Sequence, residues 1–166
     1  YHSSEDTPDK QDPTQYKRAA AVGLGSLAVL STGTDEMAGK VVNENLGRGL
    51  SRMGESHTKG LGYLADAGDA AGLTLAYKEA RNAILHQAMI EKSVVRTASV
   101  MWTNVAEGQK RVAGFEPLID QRANGLLAEV KAAYQLHAAQ RGAQAAEPVQ
   151  SADEKDRKST RLNSSH

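Results

Sequence analysis

Apolar residues recur at intervals of three and four over most of this chain, which is the spacing of one face of an α-helix. Residues 73–113 carry the clearest stripe and contain no proline. They predict one amphipathic helix about 60 Å long, with lysine, arginine and glutamate on its opposite face. The stripe and its flanks are Leu73, Tyr77, Ala80, Ile84, Gln87, Val94, Ala98, Met101, Val105 and Val112, widened by Ala76, Ala83, Ile90, Val95 and Trp102.

A second stripe follows the sequence GFEP at residues 114–117. Glycine suits the end of one helix and proline the first turn of the next, and so short a connection predicts an antiparallel helical hairpin. The dipeptide Asn124-Gly125 favours a turn and delays the second helix to about residue 126, although the apolar spacing runs through it. The second stripe is Ile119, Ala123, Leu126, Leu127, Val130, Ala133, Tyr134 and Ala138.

Residues 35–72 are dense in glycine, which costs a helix about 1 kcal/mol per residue relative to alanine. The spacing still predicts a helix lined with small residues that packs beside the hairpin. Around Gly68 and Gly72 the sequence favours a frayed or broken helix within a bundle; the alternative is a helix dimerisation face, whose spacing the two glycines have. The stripe is Leu46, Leu50, Met53, His57, Gly60, Leu64, Ala67 and Ala71.

The fold prediction is therefore all-α, with one helical domain at residues 35–146. Residues 1–16 are polar, contain two prolines and are predicted to be disordered. Residues 147–155 are predicted to form a disordered polar tail.

Residues 17–34 combine Lys17-Arg18, a run of uncharged residues and small residues at the end. These are the three parts of a secretory signal peptide, with cleavage expected after Gly33. The run Ala19–Leu30 is too short to span a bilayer, which takes about 20 residues. The alternative is a short buried helix.

The last eleven residues, 156–166, resemble the start of a translated sequencing adapter and are excluded from fold reasoning. The chain is therefore expected to be incomplete at its C-terminus, and an incomplete N-terminus is left open because no methionine precedes Met37. The whole chain has 20 basic and 20 acidic residues, and this tail holds three basic and one acidic. The remaining 17 basic and 19 acidic residues give a net charge of −2, which does not suit a nucleic-acid partner.

The sequence has no motif that indicates catalysis, a cofactor or a metal. It has no cysteine, which excludes disulfides and thiolate chemistry. His57, His86 and His137 fall in predicted helices without metal-ligand spacing. Trp102 is expected in the core. The prediction is a non-enzyme with no catalytic, cofactor-binding or metal-binding residue; a helical-bundle enzyme with a site around His86 or His137 is the alternative.

Two segments, Val94–Val112 and Arg122–Ala146, resemble the coiled helical hairpins of outer-membrane efflux channels of the TolC-like family. The resemblance rests on Trp102 in the first helix and on the Arg-x-x-Gly start of the second, at Arg122 and Gly125. It implies a trimeric export conduit in the periplasm without catalytic residues. The stretch between Trp102 and Gly125 is shorter than the family's pattern.

These observations favour a non-enzymatic helical protein of a bacterial-type envelope or periplasm that acts by helix–helix association, as a scaffold or conduit component. Its expected partners are proteins, including further copies of this chain, and membrane association stays open. The alternative is a soluble cytoplasmic helical scaffold in which residues 17–34 are buried.

Overall fold

The computed structural model describes residues 12–148, and every regular element in that range is helical. The prediction of an all-α fold is confirmed. The predictions for residues 1–11, for residues 149–155 and for the adapter-like tail lie outside the described residues. The elements are α1 (Pro13–Thr32), α2 (Asp35–Asp66), α3 (Ala70–Thr97), a 3-10 helix (Ala98–Met101), α4 (Val105–Ala113) and α5 (Glu116–Gln140).

α1 begins six residues before the apolar run. The side chain of Asp12 accepts a hydrogen bond from the N–H of Thr14, and Pro13 stands at the first helical position. An acidic cap followed by proline is a favourable helix start. The predicted disorder of residues 1–16 is therefore wrong for residues 13–16.

α2 is one continuous helix that runs through six glycines. The side chain of Thr34 caps it by accepting a hydrogen bond from the N–H of Met37. Packing against the other helices compensates for the weak helix propensity of glycine, since Gly49 and Gly60 lie on its buried face.

The chain turns between Asp66 and Ala70, where the side chain of Asp69 caps α3 by accepting a hydrogen bond from the N–H of Gly72. Gly68 lies in this turn and Gly72 lies in the first turn of α3. The two glycines therefore do not share one helix face, and the dimerisation interpretation of this pair is wrong.

The helix predicted over residues 73–113 is interrupted. α3 ends at Thr97 and continues into the 3-10 helix, after which the side chain of Asn104 caps α4 by accepting a hydrogen bond from the N–H of Glu107. Trp102 lies at this bend and is 5% exposed. The prediction of one helix about 60 Å long is wrong because this bend buries the indole and starts a new, separately capped helix.

The break at residues 114–117 is as predicted, because α4 ends at Ala113 and α5 begins at Glu116. The delay at Asn124-Gly125 is wrong, because α5 runs through both residues. The buried residues of α5 come from the predicted stripe: Ile119, Ala123, Leu126, Val130, Tyr134 and Ala138. The helix ends at Gln140, so the helical domain stops short of residue 146.

Contacts fix how α2 and α3 lie against each other. A Cβ added to Gly60 would stand 2.9 Å from the Cβ of Ala80, and Arg52 donates hydrogen bonds to Glu91. Residue numbers therefore fall along α3 as they rise along α2, which makes the two helices antiparallel. The glycine at position 60 is what allows this close approach.

α5 completes a three-helix bundle. The rings of Tyr77 and Tyr134 stack with their centroids 4.3 Å apart, and Arg96 contacts Glu116 at 2.6 Å, so α3 and α5 are antiparallel. The guanidinium of Arg141, just beyond α5, donates a hydrogen bond to a carbonyl just beyond α2, that of Ala67. The core lies between the three helices.

The end of the described chain follows the bundle surface. The hydroxyl of Tyr134 donates a hydrogen bond to the carbonyl of Ala146, and Lys131 contacts Glu147 at 2.6 Å. Residues 143–148 have no regular structure, so the irregular tail begins before residue 147, where it was predicted to start.

Candidate functional site

α1 contributes no side chain to the buried core of the bundle. None of its residues is buried. Val22, Leu24, Leu27 and Leu30 are between 63% and 71% exposed. A helix that is apolar on all sides is normally buried in a protein core or in a membrane. We call residues 19–30 of α1 the apolar arm.

The leucines of the apolar arm share one face. Leu24, Leu27 and Leu30 are spaced by three residues, which places them within about 120° of the helix circumference. The segment from Ala19 to Thr34 carries no charged side chain. The leucine face is therefore an uncharged surface exposed to water.

An apolar groove of about 660 Å³ lies beside the C-terminal end of the arm. Its ten lining residues are all uncharged. Leu30 of the arm stands at its rim, and the side chains of the second half of α3 and of the 3-10 helix form most of its wall. The residues that matter below are Asn45, Met89, Ile90, Ser93, Val100 and Met101.

A two-residue elbow joins the arm to the bundle. An ideal Cβ on Gly33 would lie 2.4 Å from the carbonyl oxygen of Val29, so glycine is required for the chain to turn this closely around the end of α1. Thr34 then caps α2. With this elbow, the arm leaves the bundle and its leucines stay in solvent.

A second polar feature lies inside the bundle, between α2 and α3. The carboxylate of Glu91 is 2% exposed and accepts hydrogen bonds from Arg52 Nε at 2.8 Å and Nη2 at 2.6 Å. The side-chain amide of Gln87 donates a further hydrogen bond. A Cβ on Gly49 would stand 2.6 Å from this carboxylate, so glycine makes the room for it.

In this cluster the charges of Glu91 and Arg52 are paired with each other. The hydrogen bonds from Arg52 lower the pKa of Glu91, although burial opposes the shift. The same hydrogen bonds raise the pKa of Arg52. A carboxylate held ionised by a bidentate guanidinium and an amide is a weak base, so the cluster suits a structural role better than acid–base catalysis.

A third feature surrounds Trp102 at the bend between α3 and α4. A Cβ on Gly108 would stand 2.5 Å from the carbonyl oxygen of Ser99 and 3.0 Å from the Cβ of Trp102. The indole Nε1 is buried without a hydrogen-bond partner. The expectation that Trp102 belongs to the core is confirmed.

The structure does not bring the three histidines together. His86 is exposed on α3 and His137 is half-buried on α5. Nε2 of His57 lies 3.2 Å from Oε2 of Glu129, but the geometry is not that of a hydrogen bond. Among residues 12–148, no group of three or more histidine and carboxylate side chains is placed to hold a metal ion.

Comparisons with known proteins returned no match among family models, curated proteins or solved structures. The resemblance of residues 94–146 to TolC-like channels therefore stays a prediction. Within the described residues, no helix is both long enough and apolar enough to cross a membrane. The arrangement of arm and groove is chemically suited to bind apolar surfaces, and these two elements form the candidate functional site.

Proposed function

We propose that this chain is a non-enzymatic helical protein that acts by helix–helix association through its apolar arm and apolar groove. The observation that carries the proposal is that no residue of the arm is buried and that the buried core of the bundle contains none of its residues. Burying an aliphatic side chain stabilises an interface by about 1.5 to 3 kcal/mol. The exposed leucines therefore supply a strong drive for association.

The apolar groove is a second observation that supports the same proposal. Met89 and Val100 at its wall are 47% and 65% exposed, and both belong to one uncharged surface on a chain that is 24% charged. Contiguous exposed apolar surface of this kind marks an interaction site. Because the lining is neutral, docking desolvates no charged side chain of the groove.

A paired set of variants tests the proposal. Leu24→Ser with Leu27→Ser removes the arm's leucine face, while Leu118→Ser with Leu136→Ser makes the same change at exposed positions of α5 outside the groove. We expect the full chain and the α5 variant to form complexes in chemical cross-linking and sedimentation velocity, and the arm variant to stay monomeric. A full chain that remains an ideal monomer and cross-links to nothing in an extract of its native source would contradict the proposal.

A second candidate is an exported envelope protein, as a scaffold or conduit component, in which the arm serves as a cleaved signal peptide. One observation favours it: no residue of α1 is buried, and Thr34 would remain to cap α2 after cleavage at Gly33. We expect the form beginning at Thr34 to keep the free energy of unfolding of the full chain to within about 0.5 kcal/mol, as for changes at exposed sites. Mass spectrometry of protein from cell fractions decides between the candidates, because an intact N-terminus contradicts cleavage.

A further inference from the structure

We infer that the occupant of the apolar groove is the apolar arm of a second copy of this chain, and that two copies exchange their arms reciprocally. The inference rests on the proposed function and concerns the chain that retains α1. It identifies the partner and the geometry, which the proposed function leaves open.

The first support is the match in length. The uncharged run of twelve residues from Ala19 to Leu30 forms a helix about 18 Å long. The groove wall runs from Met89 to Met101 along α3 and the 3-10 helix, which is also about 18 Å at the rise of an α-helix. An arm laid along the groove therefore covers it from end to end.

The second support is the match in chemistry. Every residue from Ala19 to Thr34 is uncharged, and so is every residue that lines the groove. Ser26 of the arm bonds its own backbone at the carbonyl of Val22, so this hydroxyl needs no partner in an apolar groove. Contact between these two surfaces leaves no buried polar side chain of the arm unsatisfied.

The third support is area. A helix about 10 Å across and 18 Å long that lies in a groove covers about 600 Å² counted on both surfaces, half of the lower limit of about 1,200 Å² for specific interfaces. Two such contacts related by a twofold axis reach that limit. A second copy supplies both contacts at once, whereas a single foreign helix supplies one.

The elbow explains why the arm does not fill the groove of its own copy. Leu30 already stands at the groove rim, yet Leu24 and Leu27 remain 68% and 63% exposed. Only Gly33 and Thr34 separate α1 from α2, and both are held, the glycine by close packing and the threonine by its capping bond. Exchange of a segment between copies is favoured where a short linker prevents it from closing on itself.

Site-directed cross-linking tests the exchange in the full chain, which has no cysteine of its own. Leu27→Cys marks the arm and Ser93→Cys marks the groove at an exposed, near-isosteric position. Isotopically light Leu27→Cys copies are mixed with heavy Ser93→Cys copies and treated with a short bismaleimide. We expect a product of twice the monomer mass with a light–heavy link between positions 27 and 93. Leu136→Cys in place of Ser93→Cys is the matched control and is expected to give little product.

Each other outcome overturns the exchange. A chain carrying both Leu27→Cys and Ser93→Cys that links only within one copy shows that the arm closes on its own groove. Equal yield from the Leu136→Cys control shows random collision. Binding of monomers to vesicles of anionic phospholipid without a dimer shows that lipid covers the arm. A complex with a different protein, but not with a second copy, overturns the arm exchange and leaves the proposed function standing. An ideal monomer that forms no complex overturns both the arm exchange and the proposed function.

Discussion

Replacing Arg52 with methionine is expected to lower the free energy of unfolding by about 3 kcal/mol at neutral pH. Methionine keeps the apolar stem but leaves the carboxylate of Glu91, which is 2% exposed, without its cation. Removing one partner of a buried ion pair costs about 3 to 5 kcal/mol. The guanidinium is 41% exposed and water reaches it, so we expect the lower end of that range.

Arg48→Met is the matched control, because Arg48 lies on the same helix and pairs with Glu44 at 2.6 Å on the surface. An exposed pair four residues apart is worth about 0.3 to 0.5 kcal/mol. Urea titration followed by circular dichroism measures both variants. Equal, small losses for the two would show that the Arg52–Glu91 pair does not hold α2 against α3.

The effect of Arg52→Met should shrink in acid. In the unchanged chain, the Arg52 hydrogen bonds lower the pKa of Glu91 below its unfolded value of about 4.3, and Arg96 does the same for Glu116. These carboxylates therefore contribute stability that is complete above that value and is lost as the pH falls through the lower folded pKa. Without the guanidinium, burial favours the neutral carboxyl of Glu91. The difference in free energy of unfolding between the variant and the unchanged chain is therefore expected to become smaller below about pH 5.

Replacing Trp102 with alanine is expected to lower the free energy of unfolding by about 3 to 5 kcal/mol, the usual cost of removing a buried indole. Trp102 is 5% exposed at the bend between α3 and α4. Val100→Ala is the control, because Val100 belongs to the same 3-10 helix and is 65% exposed. A loss as small as that of the control would mean that the bend does not belong to the core.

A companion variant, Gly108→Ala, tests the same bend without removing the indole. The added Cβ would meet the carbonyl oxygen of Ser99 at 2.5 Å, and a backbone atom cannot easily give way. Trp102 is the single tryptophan of the chain, so its fluorescence reports on this bend alone. We expect Gly108→Ala to shift the emission to longer wavelength as α4 separates, and an unchanged spectrum would contradict the close packing of Gly108 under Trp102.

The sequence predicted the helices where apolar spacing was uniform. The stripe of α5 is correct at all its buried positions, since no polar residue interrupts it. The stripe of α3 is correct from Leu73 to Ile84 but then continues on the wrong residues, Gln87 and Val94. The structure buries Ala88 and Glu91, which the predicted stripe lacked, and Val95, which the prediction placed only at its flank. A charged residue at a core position shifted the predicted phase.

Glu91 could have been found from the same pattern. It lies seven residues after Ile84 and four before Val95, which places it in phase with the buried stripe. Its partner Arg52 could not be found, because the pairing depends on how α2 lies against α3. The bend at Trp102 also had a local signal, because Asn104 followed by Glu107 three residues later is a helix-start pattern.

The candidate functional site could not be identified from the sequence alone. Composition alone showed the apolar run at residues 19–30, but a leader, a buried helix and an exposed arm share that pattern. The groove is lined mainly by the second half of α3 and the 3-10 helix, where Met89 and Ile90 stay 47% and 37% exposed. Spacing along one helix does not reveal which part of its apolar face lacks a neighbour.

Hydrogen exchange of the backbone amides of α1, measured over a range of protein concentrations, tests most directly whether the apolar arm is an association element. We predict that amides in residues 19–30 exchange quickly in dilute solution and become protected as the concentration rises, while amides in the core of α2, α3 and α5 stay protected throughout. Fast exchange in the arm at every concentration, with a protected bundle, would contradict association through the arm.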